Sequence, residues 1–166
     1  YAGIKLNVPD NHNYFPTDPD EKEEYIASLT DETEIAVEKA TITDACFGNP
    51  KEGIHIFFYN THMLLDALKP DNGEITEEDA LDYYREYIAA LSKKQGFQVD
   101  YKERKKVTIG GHEYLRDIAY YDGDENSYEA FCMRKIDDDL MLFLHYTSND
   151  HEKTPEYFES LFEELK

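Results

Sequence analysis

The sequence predicts an α+β fold, in which an antiparallel β-sheet of about six to seven strands carries helices packed on its faces. Two observations lead to this class. Four consecutive strands joined by short polar turns occupy the C-terminal half, at 97–109, 112–121, 128–136 and 140–147. Predicted strands also outnumber the helical segments that could connect parallel strands, which argues against a doubly wound sheet.

A Gly-Gly pair marks the first hairpin of this four-stranded meander. Gly110 and Gly111 lie between two runs rich in β-branched and aromatic residues, 107–109 and 112–121. Glycine adopts positive φ without steric cost, so the pair predicts a two-residue turn whose twist matches that of its strands. We expect the meander to form the surface on which the rest of the chain packs.

The first predicted elements are a strand and a helix. Residues 2–8 alternate between apolar and polar side chains, which predicts a half-buried strand that ends at Pro9. Its apolar face would carry Ile4, Leu6 and Val8. Asp18 followed by Pro19 predicts a helix start, because aspartate caps helices and proline fits the first helical position. The inward residues of that helix would be Tyr25, Ile26 and Leu29.

The middle of the chain alternates helices and strands. Residues 34–40 fit either a short helix or a strand, and we favour the helix. Strands follow at 41–47 and 53–59, and the second is apolar on both faces, which predicts a central position in the sheet. A short helix then begins at Asn60 or Thr61, with inward residues Met63, Leu64, Ala67 and Leu68.

The longest predicted helix begins at the N-cap residue Thr76 and ends near Gly96. The acidic residues at 77–79 favour the positive end of the helix dipole. Apolar residues recur at spacings of three and four, and they are Leu81, Tyr84, Tyr87, Ile88 and Leu91. A last helix would begin at 154–156, with inward residues Tyr157, Phe158, Leu161, Phe162 and Leu165.

Length and charge limit the classes of protein. With 166 residues the chain is expected to form one domain, 1–166, whose core needs no disulfide or metal. A net charge of −20 repels nucleic acid and anionic membranes, whereas positively charged partners are compatible. No apolar run approaches the ~20 residues of a membrane span. The chain begins at Tyr1, from which we expect a trimmed or processed protein, with an export signal or lipid anchor removed upstream.

The cysteines and histidines show no metal-binding spacing. Cys46 and Cys132 lie in apolar, strand-like surroundings, which favours two buried thiols, with a disulfide as the alternative outside the cytoplasm. His55 and His145 fall in buried strands, where a core histidine is the ordinary interpretation. If those strands are neighbours, a shared metal site is the alternative. His112, beside the Gly-Gly turn, is expected to be solvated.

An acidic turn supplies the weak calcium candidates Asp122, Asp124 and Asn126, whose oxygen-bearing side chains alternate. An EF-hand loop counted from Asp122 needs glycine at its sixth position and glutamate at its twelfth, where this sequence has Ser127 and Met133. A polar hairpin turn explains the same residues. We therefore assign no catalytic residue, no cofactor and no metal ligand.

Two surface features have more than one interpretation. The only basic cluster lies on a meander strand, where it protects a sheet edge from pairing or, alternatively, serves as a docking spot; it comprises Lys102, Arg104, Lys105 and Lys106. Several of the 14 tyrosines lie off the main buried stripes, and they cover core edges or form a contact surface; they are Tyr83, Tyr120 and Tyr121.

The chain resembles the PsbP-like (Mog-type) α/β/α sandwich, most closely the extracytoplasmic lipoproteins of Gram-positive bacteria. The strand leading to Pro9, the strand at 54–59, the long helix and the hairpin Val107-Thr108-Ile109-Gly110-Gly111-His112-Glu113-Tyr114 carry the resemblance. It spans nearly the whole chain, and 32–44 match least well. The resemblance implies a secreted or surface-anchored, non-enzymatic domain. It transfers no functional residues, because such families share a scaffold and differ in their sites.

Three functions remain open at this point. The first is a non-catalytic secreted or cell-surface domain that binds a protein or an envelope component. The second is a small-molecule- or metal-binding protein, or a hydrolase, with a pocket between helices and sheet and with His55 or His145 essential. The third is an acidic cytoplasmic inhibitor or adaptor of a basic partner. No serine lies in a Gly-x-Ser-x-Gly motif, so enzymatic activity stays open without a named nucleophile.

Overall fold

The structure, a computed structural model, describes residues 2–150 and 153–165, including all side chains there except those of Thr43, Asp44, Glu125 and Asn126. The described helices are α1 (Pro19–Ser28), α2 (Glu32–Ala40), α3 (Thr61–Leu68), α4 (Glu77–Gln95) and α5 (Pro155–Ser160). The described strands are β1 (Ile4–Leu6), β2 (Asn13–Phe15), β3 (Thr41–Asn49), β4 (Glu52–Asn60), β5 (Val99–Tyr101), β6 (Lys105–Ile109), β7 (His112–Tyr121), β8 (Asp124–Lys135), β9 (Leu140–Ser148) and β10 (Phe162–Glu164).

An antiparallel sheet of eight strands forms the centre of the protein. Its order is β2-β3-β4-β9-β8-β7-β5, and β6 also pairs with β7. A separate two-stranded sheet joins β1 to β10. The predicted α+β class and the C-terminal meander are confirmed. The sheet has more strands than expected because the segment 97–109 is divided into β5 and β6, and because the short β2 adds to one edge.

Each face of the sheet has its own apolar core, because successive side chains of a strand point to opposite faces. One core lies under α4 and includes Leu81, Ile88, Phe131, Met133 and Phe143. The other lies under α5 and the two-stranded sheet, and includes Ile54, Tyr114, Leu144, Tyr146 and Phe158. The apolar pattern on both faces of β4 and β9 reflects their place in the middle of this sandwich.

The predicted starts of α1, α2 and α4 and the predicted end of α4 are confirmed. Asp18 and Asp31 each accept a hydrogen bond from a backbone amide of the first turn, which confirms α1 and the helical interpretation of α2. Thr76 and Asp79 cap each other's backbone amides at the start of α4, and Gly96 ends that helix in the left-handed region at φ 81°. None of the described helices combines the length and the apolar character needed to cross a membrane.

Helix α1 lies on the surface and packs against α2, so its predicted buried stripe is wrong. No residue of α1 is buried, and Tyr25 is 44% exposed. Ile26 and Leu29 are half-buried rather than buried, because α2, α3 and α4 already cover the sheet face on that side. Val8 and Met63 are also exposed where inward positions were expected.

The C-terminal segment differs from the prediction, in which the last helix continued through Leu165. Helix α5 ends at Ser160, and the chain continues as β10, which pairs antiparallel with β1. Leu165 is 52% exposed rather than inward. Pairing with β10 gives the backbone N–H and C=O groups of β1 hydrogen-bond partners, which a helix could not provide. The periodic apolar pattern of the sequence carries no information about this need for partners.

A buried carboxylate connects α4 to the sheet. Asp117 of β7 is 1% exposed, and it accepts hydrogen bonds from Nε and Nη2 of Arg85 at 2.7 and 2.9 Å. It also accepts from Nε and Nη2 of Arg104 at 2.8 and 2.7 Å. Burial pushes the pKa of Asp117 upward, but the hydrogen bonds and charges of the two arginines outweigh burial, so its pKa lies below the usual value.

This ion cluster explains why the predicted strand at 97–109 is interrupted. Arg104 lies in the gap between β5 and β6, and both of these strands pair with β7. The gap frees the backbone at Arg104 from the ladder, so that its guanidinium lies over the buried carboxylate. The same Nη2 of Arg104 that donates to Asp117 also donates to the exposed Asp82 at 2.8 Å.

We expect Asp117→Asn to lower the free energy of unfolding by about 3 kcal/mol, because removing one partner of a buried ion cluster leaves the others uncompensated. Urea denaturation measures the loss. The control Asp82→Asn removes an exposed partner of Arg104 and should cost less than about 1 kcal/mol. Equal losses in the two variants would contradict the role given to the buried carboxylate.

A comparison of the wild-type protein with Asp117→Asn at different pH values tests the pKa of Asp117. Because its pKa is lower in the folded than in the unfolded protein, its contribution is present above the unfolded pKa of about 4 and is lost as the pH falls through the folded pKa. The stability difference between wild type and Asp117→Asn should therefore shrink below about pH 4. A difference that stays constant down to acid pH would show that the pKa is not lowered.

The hairpin predicted at Gly110-Gly111 is present and packs against β1. Both glycines have positive φ, 54° and 78°, and a Cβ on Gly110 would lie 2.7 Å from Cγ2 of Ile4. We expect Gly110→Ala to cost about 2–5 kcal/mol, from a positive-φ strain of about 1–2 kcal/mol and overpacking of about 1–3 kcal/mol. Gly123→Ala, at φ 74° with open space around it, should cost the strain alone. Similar melting temperatures for both variants would contradict the contact with Ile4.

Candidate functional site

The register of the central strands places polar side chains in one row across the sheet. Cys46 of β3 pairs with His55 of β4, and His55 pairs with His145 of β9. His145 pairs in turn with Phe131 of β8. Paired residues point to the same face, so the row lies on the α4 side. Phe131 is buried, whereas the other three side chains are only half-buried. The open part of the sheet face therefore begins at His145.

We call Cys46, His55, His145 and the adjoining Glu129 the histidine surface. Sγ of Cys46 lies 3.5 Å from Nε2 of His55, and the rings of His55 and His145 are 5.2 Å apart. Nε2 of His145 lies 2.7 Å from Oε2 of Glu129 and donates to it, because an ionised carboxylate only accepts. The second oxygen of Glu129 accepts from the hydroxyl of Tyr121 at 2.7 Å.

The ionised form of Glu129 is held by its neighbours. Burial pushes its pKa upward, but the hydrogen bond and the charge of His145, together with the Tyr121 hydroxyl, outweigh burial and hold the pKa below its usual value. Burial and the nearby charge of Glu129 raise the pKa of Tyr121, which keeps this hydroxyl a donor. The surface therefore presents a fixed carboxylate beside two imidazoles and a thiol.

Two adjoining hollows meet at this surface. One, of about 480 Å³, lies beside the C-terminal half of α4, and its mostly apolar wall includes Leu91 and Phe97. The other, of about 450 Å³, reaches the sheet edge and includes Phe15, Cys46 and His55. Tyr121 and Glu129 line both hollows. Both are wide depressions on a sheet face rather than enclosed cavities.

The prediction that His55 and His145 meet if their strands are neighbours is confirmed. Among the side chains that the structure describes, no three of His, Cys, Asp or Glu are grouped so as to hold a metal ion. His112 is not solvated as expected, because its half-buried ring lies against β1, with Nε2 3.2 Å from the carbonyl oxygen of Gly3. His151 lies outside the described residues.

Of the calcium candidates, Asp122 lies in the tight turn between β7 and β8, whereas Asp124 and Asn126 belong to β8. Asp122, at φ 53°, accepts a hydrogen bond from the amide of Gln98 at 2.9 Å, and Asp124 is exposed at the start of β8. The side chain of Asn126 lies outside the described part of the chain. The hydrogen bond explains Asp122 as a turn residue, and calcium at this turn stays a prediction.

The two thiols are not joined by a disulfide. Cys132 is fully buried in β8, and two strands, β4 and β9, separate it from Cys46 in β3. Burial raises the pKa of the Cys132 thiol, which makes it an apolar core residue. Cys46, half-buried beside His55, is the more accessible of the two.

The structure favours edge protection for the part of the basic cluster on β6, and it favours the covering of core edges for the tyrosines. Strand β6 is an edge strand, and Lys106 on it bonds Glu113 at 2.6 Å. Tyr120 is buried, and Tyr83 and Tyr121 are half-buried, so these rings cover core edges rather than form an exposed tyrosine patch.

Sequence reasoning missed Glu129 and Asp117. Both lie at inward positions of strands, since Phe131 and Met133 follow Glu129 at intervals of two, and Ala119 follows Asp117. A charged residue at an inward position of an apolar strand was the available signal, because such a residue is found buried only when it has partners.

We expect His145→Phe to move the pKa of Glu129 from below to above its usual value, because burial raises this pKa and the variant lacks the hydrogen bond and charge of His145 that lower it. Carboxyl-carbon NMR of the folded protein measures the shift. The control His62→Phe, an exposed histidine 3.0 Å from Asp139, should leave Glu129 unchanged. A Glu129 pKa that is still lowered in His145→Phe would show that another group holds the charge.

Comparisons with known proteins support the fold. No family model matches the sequence, and no curated protein matches it. The solution structure of cyanobacterial PsbP (CyanoP) from Synechocystis sp. PCC 6803 is similar, with a TM-score of 0.52 and 12% identity over 98% of this chain and 87% of that one. At this identity the likeness establishes the fold alone. The expected PsbP-like fold is thereby confirmed, whereas the likeness to lipoproteins of Gram-positive bacteria stays a prediction.

Proposed function

We propose that this chain is a non-catalytic accessory domain, secreted or anchored at the cell surface, that binds a partner protein or an envelope component. The observation that carries the proposal is a pair of exposed aromatic side chains next to the histidine surface. Tyr14 and Phe15 of β2, which we call the aromatic edge, are 57% and 52% exposed.

The aromatic edge and the histidine surface are continuous. Phe15 pairs with Cys46, so its ring points to the same side of the sheet as His55 and shares a hollow with it. Aromatic side chains are enriched at protein interfaces and frequently dominate their binding energy. A wide, shallow surface with aromatic rings at one side and fixed polar groups in the middle suits a macromolecular partner.

The charge of the chain favours a positively charged partner. With a net charge of −20, the field around the protein accelerates association with basic surfaces and disfavours acidic ones. The ionised Glu129 at the centre of the histidine surface gives this attraction a local target. Binding should therefore weaken as the salt concentration rises.

The fold is compatible with this role. A PsbP-like domain serves as a scaffold whose surfaces differ between proteins, so the site rather than the fold has to supply the function. Placement outside the cytoplasm is part of the proposal, and cell fractionation with an antibody against the chain tests it. Recovery in the cytoplasmic fraction would favour an intracellular adaptor instead.

The contact between Cys46 and His55 favours a second candidate, a thiol-dependent small-molecule-binding protein or hydrolase. A histidine within reach of a thiol is the arrangement that activates cysteine as a nucleophile. Turnover of a model thioester that is lost in Cys46→Ser and in His55→Gln, but kept in Cys132→Ser, would support this candidate and displace the first.

We expect the double variant Tyr14→Ala/Phe15→Ala to lose its envelope partner. Truncating an aromatic anchor typically costs 2 kcal/mol or more, about 30-fold in affinity. Quantitative mass spectrometry of components captured from envelope extract by wild-type and variant proteins measures the loss. Met63→Ala, which removes another exposed apolar side chain, is the control and should capture as wild type does. Unchanged capture by the double variant would contradict binding through the aromatic edge.

A further inference from the structure

The sheet face opposite the histidine surface holds a separate hollow, of about 500 Å³, between the edge of the sheet and the segment that leads into α5. Its floor comes from strands β7 and β8, through Arg116, Ile118, Tyr120 and Tyr128. Its walls carry Lys102 and Lys105 on one side and Lys153 on the other. We call it the basic hollow. Its volume lies within the range of small-molecule sites.

The hollow concentrates positive charge in a very acidic protein. Four cationic side chains line it, against two carboxylates, those of Glu103 and Glu156. The register explains the grouping, because Lys105 of β6 pairs with Arg116 of β7 and both therefore point to the α5 side. The negative charge elsewhere is largely screened over a Debye length of about 8 Å at physiological salt.

Arg116 is a buried cation of the hollow, and protection of a sheet edge by exposed lysines does not explain its position. Its side chain is only 3% exposed, and Nη1 donates to Glu159 and lies 3.6 Å from Glu156. Its Nε has no hydrogen-bond partner among the described residues. Burial raises the pKa of Glu159 even though the charge and hydrogen bond of Arg116 lower it. A buried, incompletely paired guanidinium is costly unless a further acceptor reaches it.

Two of the other cations are positioned by aromatic rings. Nζ of Lys102 lies 4.7 Å from the centre of the Tyr120 ring, and Nζ of Lys153 lies 3.7 Å from that of Tyr157. Such contacts place ammonium groups over ring faces at the rim of the hollow. Between them the floor offers Tyr120, Tyr128 and Ile118 as an apolar and aromatic surface.

We propose that the basic hollow binds a small organic anion, whose carboxylate or phosphate group meets Arg116, Lys105 and Lys153 and whose apolar body rests on Tyr120 and Tyr128. The chemistry follows from the lining: a guanidinium and ammonium groups recognise an oxyanion, and the two rings, 6.0 Å apart, receive a flat or apolar body. The histidine surface lies on the other face of the sheet, and Tyr128 lines both the basic hollow and the hollow that contains Cys46 and His55.

Amide NMR titrations of the full chain with phenyl phosphate and phenylacetate test the proposal, with phenol as the neutral probe. We expect saturable shifts at 116–120 and 153–156 with at least one anion, which names the head group, and none of comparable size with phenol. Lys105→Gln and Lys153→Gln should each weaken binding about two- to fivefold. Added salt should weaken it further.

Lys106→Gln is the matched control. It removes the same charge from the next position of the same strand, but Lys106 pairs with Leu115 on the α4 side, so binding should be unchanged. Because Lys105 is exposed and Lys153 is half-buried, their variants are expected to fold even if Arg116 variants do not. Absence of saturable shifts at millimolar anion, equal shifts with phenol, or equal weakening by Lys106→Gln would overturn the proposal.

Discussion

The carboxylate of Asp117 sets the arrangement on which the open site depends. Arg85 of α4 and Arg104 of the β5–β6 gap converge on it through four hydrogen bonds, so three parts of the chain meet at one buried charge. Asp117 also ends the row that runs through Phe131, His145 and His55 to Cys46. Because Arg85 holds α4 at the β7 end of this row, the helix covers Phe131 and leaves the other end exposed.

A buried ion cluster is weak evidence for stability, because desolvation offsets much of its Coulombic energy. The value of this cluster lies in geometry. Apolar contacts alone would allow α4 to slide along the aromatic surface of Phe131 and Phe143, whereas a bidentate arginine accepts few positions. The same reasoning applies to Glu129, which has a donor on each oxygen and so fixes both His145 and Tyr121. The buried carboxylates of Asp117 and Glu129 therefore determine where their partner side chains lie more than they stabilise the fold.

Local patterns were sufficient for most of the fold and insufficient for the site. Alternation, turn glycines and caps such as Thr76 depend on neighbours in the chain, so the meander and α4 could be predicted from the sequence. The adjacency of β4 and β9 depends on pairing between residues 80 or more positions apart, and local periodicity carries no information about it. The sequence could therefore predict the contact between His55 and His145 only on the condition that their strands are neighbours. The division of α5 from β10 likewise depends on β1, at the far end of the chain.

Strand β7 links the two candidate surfaces and also keeps them apart. Arg116 and Asp117 are consecutive, so they point to opposite faces, and each is held by partners on its own side. A shift of β7 by one residue would exchange the two charges between the faces and break both sets of contacts. The strand therefore cannot transmit a ligand's effect by sliding. An anion in the basic hollow and a partner on the histidine surface should bind additively, as sites without a shared two-state element do.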